Sequence, residues 1–125
     1  MQYAHLAICL FIAAPSFAQE ITREELSRAD APGSDTHEVI VSRLTVPPGA
    51  AIPAHRHAGD EYVTILEGGS VSTPSGEVRP FPTGATIRFE AGMTHGGLTN
   101  SGDTTFVVIT TQIVDKGQPL NLPPE

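Results

Sequence analysis

From residue 39 onward, Gly and Pro cut this chain into short runs of β-forming residues. These are "VIVSRLTV" (39–46), "AIPAHRH" (51–57), "EYVTILE" (61–67), "SVSTP" (70–74), "ATIRFE" (85–90), "HGGLTN" (95–100) and "TTFVVITTQIV" (104–114). Turn signals fall between them, among them Pro47-Pro48-Gly49, Gly59-Asp60, Gly68-Gly69 and Pro82-Thr83-Gly84. Many short strands with regular turns and no long helical period define an all-β sandwich or barrel. Before this domain, residues 19–38 form a polar N-terminal arm. Its "ITREELSRAD" fits either a short helical turn or an extended segment. After it, residues 115–125 form an extended, proline-rich C-terminal tail.

The first 18 residues have the composition of a targeting segment. Leu6 to Ala14 is apolar but too short to span a bilayer, and Ser16-Phe17-Ala18 places small residues where a signal peptidase reads. Cleavage after Ala18 and a periplasmic or secreted protein are the expectation, with an uncleaved anchor as the rival reading. The only cysteine, Cys9, lies inside this segment, so the remaining chain offers no thiol as nucleophile, metal ligand or disulfide half. Seven basic residues against 14 acidic ones give a formal net charge of −7. They form no cluster, which argues against nucleic acid or an anionic membrane surface as partner.

Within "PGAAIPAHRHAGDEYVTILEGG" (47–69) the chain places two of its five histidines one residue apart, with a glutamate four positions later. On a strand, His55 and His57 point the same way and Arg56 the other way. After the turn at Ala58-Gly59-Asp60, the next strand carries Glu61, Val63 and Ile65 on one face. That brings a carboxylate and two imidazoles together above an apolar floor. His95, following the turn "EAGMT", is available as a third imidazole. Three imidazole nitrogens and one carboxylate oxygen suit a divalent transition metal ion such as Fe, Mn, Zn, Ni, Co or Cu. Four protein ligands on a six-coordinate ion leave two positions for water or substrate, the mark of a reactive centre rather than a structural one.

The string Gly49, five residues, His55-x-His57, three residues, Glu61, six residues, Gly68 resembles the first motif of the cupin superfamily at every defined position. Gly84, five residues, Glu90-Ala91-Gly92, two residues, His95 follows the spacing of the second, with Glu90 where the family usually has proline. The family's asparagine falls at Thr99 here. Asn100 comes one place later, and a bulge at Gly96-Gly97 could absorb the extra residue. The resemblance covers about residues 39–114 and implies a single-domain, cupin-type jelly-roll β-barrel with a metal in its mouth.

An ion at +2 beside Glu61 at −1 leaves a net positive site, which favours a small anionic ligand able to chelate. The resemblance further implies a homodimer and either of two kinds of function. One is a metal-dependent enzyme of the dioxygenase or isomerase/lyase type. The other is a non-catalytic metal- and ligand-binding or sensing module. No second catalytic group is apparent beside the four metal ligands, since Lys116 and His37 lie away from both motifs and His37 reads as a loop residue. Asp60, Glu67 and Glu90 read as surface groups. Tyr62 and Arg88 could reach the pocket, but alternation favours packing on the opposite face of the sheet.

Overall fold

The computed structural model describes residues 19–125; the targeting segment expected at residues 1–18 lies outside the described residues. Nine strands follow one another: β1 (Thr22–Asp30), β2 (His37–Val46), β3 (Ala51–Ile52), β4 (Glu61–Glu67), β5 (Gly69–Ser72), β6 (Val78–Phe81), β7 (Thr86–Phe89), β8 (Leu98–Asn100) and β9 (Phe106–Asp115). They form a five-stranded sheet in the order β1-β2-β9-β4-β7 and a four-stranded sheet in the order β3-β8-β5-β6. Every ladder is antiparallel, and the described residues contain no helix, so the expected all-β, single-domain jelly roll is the fold.

The core follows from period-two alternation. On β9 the residues Phe106, Val108, Thr110, Gln112 and Val114 are buried, and those between them are not. Val46, Val63, Ile65 and Val71 join Phe106 and Val108 in one apolar cluster. Each such side chain contributes roughly 1.5–3 kcal/mol on burial. Pairing sets the inward residues in rows across the large sheet. Leu44, Val108 and Ile65 form one row, and Ser42, Thr110, Val63 and Ile87 the next. Ile40, Gln112, Glu61 and Phe89 form the row beyond. The interior thus changes from apolar floor to polar rim over about 7 Å per two residues of strand.

Four local features complete or correct the sequence reading. The arm, open between helix and extended chain, is largely β1, a charged edge strand paired only with β2. The boundary drawn at residue 39 therefore falls inside β2, which begins at His37. The run 51–57 makes a ladder only at Ala51–Ile52. Pro53 has no N–H to continue it, and pairing resumes as a single bridge between His55 and His95. β6 carried no strand signal because Pro80 sits in it, yet an edge strand tolerates a residue without an N–H. Finally, the Gly96-Gly97 pair inserts nothing. Two residues separate the His55–His95 bridge from the Ile52–Leu98 pair on each strand, so no bulge is present.

Asn100 is buried. Its amide donates to the carbonyls of Val46 and Thr104, both at 2.9 Å, while its Oδ1 accepts from the Gly102 N–H at 3.0 Å. It locks the turn between β8 and β9 to the end of β2. That is a structural role beneath the site, with no contact to the four candidate ligands.

Candidate metal centre

His55, His57, Glu61 and His95 converge, with one potential ligand atom from each lying within 4.8 Å of all the others. His55 and His95 are held by reciprocal backbone bonds of 2.9 and 2.8 Å. Glu61 opens β4 and is paired on either side with Gln112 and Phe89. The Phe89 ring stacks on His95 at a centroid distance of 4.1 Å and 8° between planes, which fixes the imidazole's tilt. Gly96 has φ of +78°, and a Cβ there would lie 2.5 Å from the Pro53 carbonyl oxygen and 3.1 Å from His55 Nδ1. Only glycine lets the chain pass so close behind the His55 ring.

The hydrogen bonds of the three rings decide their chemistry. Nδ1 of His55 donates to the Pro53 carbonyl at 2.8 Å, that of His57 to the Leu120 carbonyl at 2.6 Å, and that of His95 to the Met93 carbonyl at 2.9 Å. A neutral imidazole carries one ring proton, so each Nε2 is left with a lone pair. Backbone carbonyls behind Nδ1 are the usual way a metal-binding histidine is oriented and made more basic. Toward the centre, His95 Nε2 lies 2.9 Å from Glu61 Oε2 and His57 Nε2 lies 3.3 Å from it. Lone pairs and a carboxylate at such distances repel unless a cation or a proton stands among them. Gln112 is fully buried beside the cluster, its Nε2 facing Glu61 Oε1 at 3.0 Å and His57 Nε2 at 3.1 Å. The donor set, with its lone pairs turned toward one carboxylate, fits a divalent ion held by His55, His57, Glu61 and His95.

In metal-free protein, where a proton rather than an ion stands between the rings and the carboxylate, burial raises the Glu61 carboxyl, but hydrogen bonds and charge from His57 and His95 outweigh it and bring the group down to about 2. His95 is pushed down by burial and pulled up further by Glu61 and Met93, ending above its ordinary value, whereas burial leaves His55 below it. In metal-free protein a carboxyl depressed in the folded state stabilises the fold above its unfolded value near 4.5, and that contribution is lost as pH falls toward 2. Below 6.5 the raised His95 and the lowered His55 act in opposite senses. Metal-free wild type should therefore exceed Glu61→Gln in denaturation midpoint at pH 5, and the gap should close between pH 4.5 and about 2. A gap independent of pH in that range would remove the ionised carboxylate from the site.

Asp60, Arg88 and Glu90 stay outside. Arg88 bonds Asp60 Oδ2 at 2.7 Å and Glu90 Oε1 at 3.2 Å, while Asp60 Oδ1 accepts the Ala91 N–H at 3.0 Å and so pins the turn that leads to His95. Tyr62 and Glu67 face solvent. His37 begins β2 rather than lying in a loop, and it pairs with Asp115 at 3.1 Å.

Sequence reasoning missed three contributors. Gln112 had a signal, because alternation along β9 puts it on the inward face with Phe106 and Val108. The C-terminal tail had none: Leu122 pairs with Arg56 backbone to backbone, Arg56 bonds Glu125 at 2.7 Å, and Leu120 supplies the carbonyl on His57. Nor had Arg23, which lines the cavity. That cavity, of about 560 Å³, opens beside His55, Glu61 and His95 and is walled mainly by apolar side chains, among them Leu44, Ile52, Ile87, Phe89, Leu98 and Phe106.

A two-sheet antiparallel barrel with a three-histidine, one-glutamate cluster beside an internal cavity defines a class of barrel proteins with a candidate metal site. The profile of the Cupin domain matches residues 42–112, and the chain belongs to that family. No curated protein sequence matches it. Among solved structures it is similar to a cupin domain from Bordetella pertussis Tohama I (24% identity, 74% of this chain and 92% of that one, TM-score 0.55). It is also similar to the polyketide cyclase RemF from Streptomyces resistomycificus (22%, 86% and 75%, TM-score 0.60). A third similar structure is the DMSP lyase DddQ from Ruegeria pomeroyi DSS-3 (19%, 82% and 51%, TM-score 0.57). At these identities the likeness is one of fold.

Proposed function

We propose that this cupin is a metal-dependent enzyme acting on an anionic organic molecule that chelates the ion through two oxygens. One observation carries this reading. Three imidazoles with their Nδ1 protons committed to backbone carbonyls turn their Nε2 lone pairs toward one carboxylate beside a large apolar cavity. A divalent ion bound there supplies Lewis-acid polarisation of the chelated oxygens, which favours enolate-forming isomerase, lyase or cyclase chemistry, or dioxygenation where the ion is redox-active. Glu61 cancels one of the ion's two positive charges and leaves a site that prefers an anion. His55 and His95 face the cavity, while His57 and Gln112 close the back of the site. The apolar walls exclude water and hold the body of the substrate, so that the polarised end meets few competing donors. The fold is one that a polyketide cyclase and a DMSP lyase also have, so an enzyme on this barrel has precedent.

The same proposal includes a homodimer and export. Tyr62 and Ile113 stand exposed on the outer face of the five-stranded sheet, which supports packing against a second copy. Export rests on the composition of residues 1–18. The test of function is metal analysis followed by turnover. Protein purified from its exported fraction should hold close to one transition metal ion per chain. It should convert at least one member of a panel of aromatic hydroxy acids and β-dicarbonyl acids, followed by absorbance and by oxygen uptake. Full metal loading with ligand binding but no conversion would leave the binding or sensing module as the function; absence of metal under all loading conditions would overturn both.

A further inference from the structure

The chain has seven Lys and Arg residues, and six of them are paired with carboxylates on the surface. Arg28 pairs with Glu25 and Glu38, Arg43 with Glu24, Arg56 with Glu125, Arg79 with Glu77, Arg88 with Asp60 and Glu90, and Lys116 with Asp30. Arg23 alone has no carboxylate partner among the described residues, and Arg23 alone of the seven lines the cavity. Residues 1–18 contain no Asp or Glu that could pair with it.

Register explains how a residue on an edge strand arrives there. Arg23 is paired with Leu44, and Leu44 with Val108, so its side chain leaves β1 on the inward face of the sheet. It crosses β2 and ends with Nη1 donating to the buried Thr110 Oγ1 at 3.2 Å. A single hydroxyl uses one of five guanidinium donors and leaves the planar fork free. Burial lowers the guanidinium from its ordinary value and the charge of Glu61 raises it again, in keeping with a cation whose tip is sheltered although the residue as a whole keeps solvent contact. Thr110 and Gln112 are same-face neighbours on β9, and Gln112 lies opposite Glu61. The guanidinium therefore stands one row, roughly 7 Å, from the candidate metal ligands.

We propose that Arg23 is a substrate-binding residue that clamps a second anionic group of the substrate. This rests on the metal reading above and names the substrate class: a ring-sized apolar body with two chelating oxygens at one end and a carboxylate about 7 Å away. The cavity wall is apolar beside Thr110, from Val63 and Ile87, and deeper, from Phe106, which fits an aromatic or alicyclic body and offers nothing to a short hydroxy acid. A guanidinium at the edge of an apolar cavity, with no carboxylate of its own, offers its free donors to an anionic ligand. Arg in place of Lys suits the task, since its fork binds a carboxylate bidentately.

Salicylate and 4-hydroxyisophthalate make the matched probes. Both carry the ortho hydroxy-carboxylate chelate, and the second adds one carboxylate across the ring. With zinc-loaded wild type, calorimetric titration should give a dissociation constant about tenfold to a hundredfold lower for 4-hydroxyisophthalate than for salicylate. Arg23→Gln should bring the two together while keeping zinc content and salicylate affinity; Arg23→Lys should keep part of the preference. With metal stripped, either carboxylate can reach Arg23, and Arg23→Gln should then weaken both probes alike. Undiminished 4-hydroxyisophthalate binding by Arg23→Gln in both metal states would overturn the clamp. Salicylate binding that ignores the chelator would instead count against the metal reading and leave the clamp to be judged on the metal-free comparison.

Discussion

His57→Ala protein should emerge from purification with metal at background level, where wild type carries close to one ion per chain, while its circular dichroism remains that of a β-barrel. The loss is large because the substitution removes one of three imidazole donors from a site that otherwise has one carboxylate. It also frees the Leu120 carbonyl, so the tail loses the bond that holds it to the site. The barrel survives because Val46, Ile65, Phe106 and Val108 form its core without help from the ligands. His55→Ala and His95→Ala should behave alike, though each keeps its backbone bridge and so should lose metal without loosening the tail. Elemental analysis decides the matter: wild-type metal content in all three variants would dissolve the site. For wild type itself, metal should leave as pH drops below about 6.5, where protons compete for imidazole.

Removing the ion from wild type should lower the melting temperature by roughly 10–20 °C. His55 and His95 are 40 residues apart in sequence, so the unfolded chain cannot present the four ligands together. A ligand that binds only the folded state at a hundred times its dissociation constant adds about 2.7 kcal/mol. In a domain of this size each kcal/mol shifts the midpoint by about 4–8 °C. Scanning calorimetry before and after chelation, with metal content measured in both samples, gives the answer. An unchanged midpoint in a sample that lost its metal would make the ion peripheral. Collapse of the fold would make it a structural staple, leaving no coordination position for a substrate.

The parts of the site that were legible in the sequence are those fixed by short-range geometry. His55, His57 and Glu61 sit around one turn, so strand alternation alone brings them together. Glu61, Val63 and Ile65 share a face for the same reason. The unread parts depend on which strand lies beside which. Gln112 reaches Glu61 only because β9 pairs with β4 in one register, although its inward direction was visible in the alternation of β9. Arg23 faces the cavity only because β1 pairs with β2, and "ITREELSRAD" gave equal grounds for a helical turn. The tail offered the least. Prolines announced an extended segment, but nothing local could say that Leu120 would meet His57 across 63 positions.

That last contact has a kinetic side. The His57 ring is buried behind Glu61 and Gln112, which suggests an ion sealed in by the barrel wall. Yet its Nδ1 leans on a segment that belongs to neither sheet, fastened by the two backbone bonds between Arg56 and Leu122 and by Arg56 at the chain's end. Such a segment can lift away without unzipping a ladder, at a small fraction of the cost of global unfolding. The ring could then swing outward while the strands stay paired. For an ion held by these four ligands, uptake and escape would then be local events paced by the few contacts of residues 120–125, and two chains with the same ligands could differ greatly in exchange rate through that segment alone.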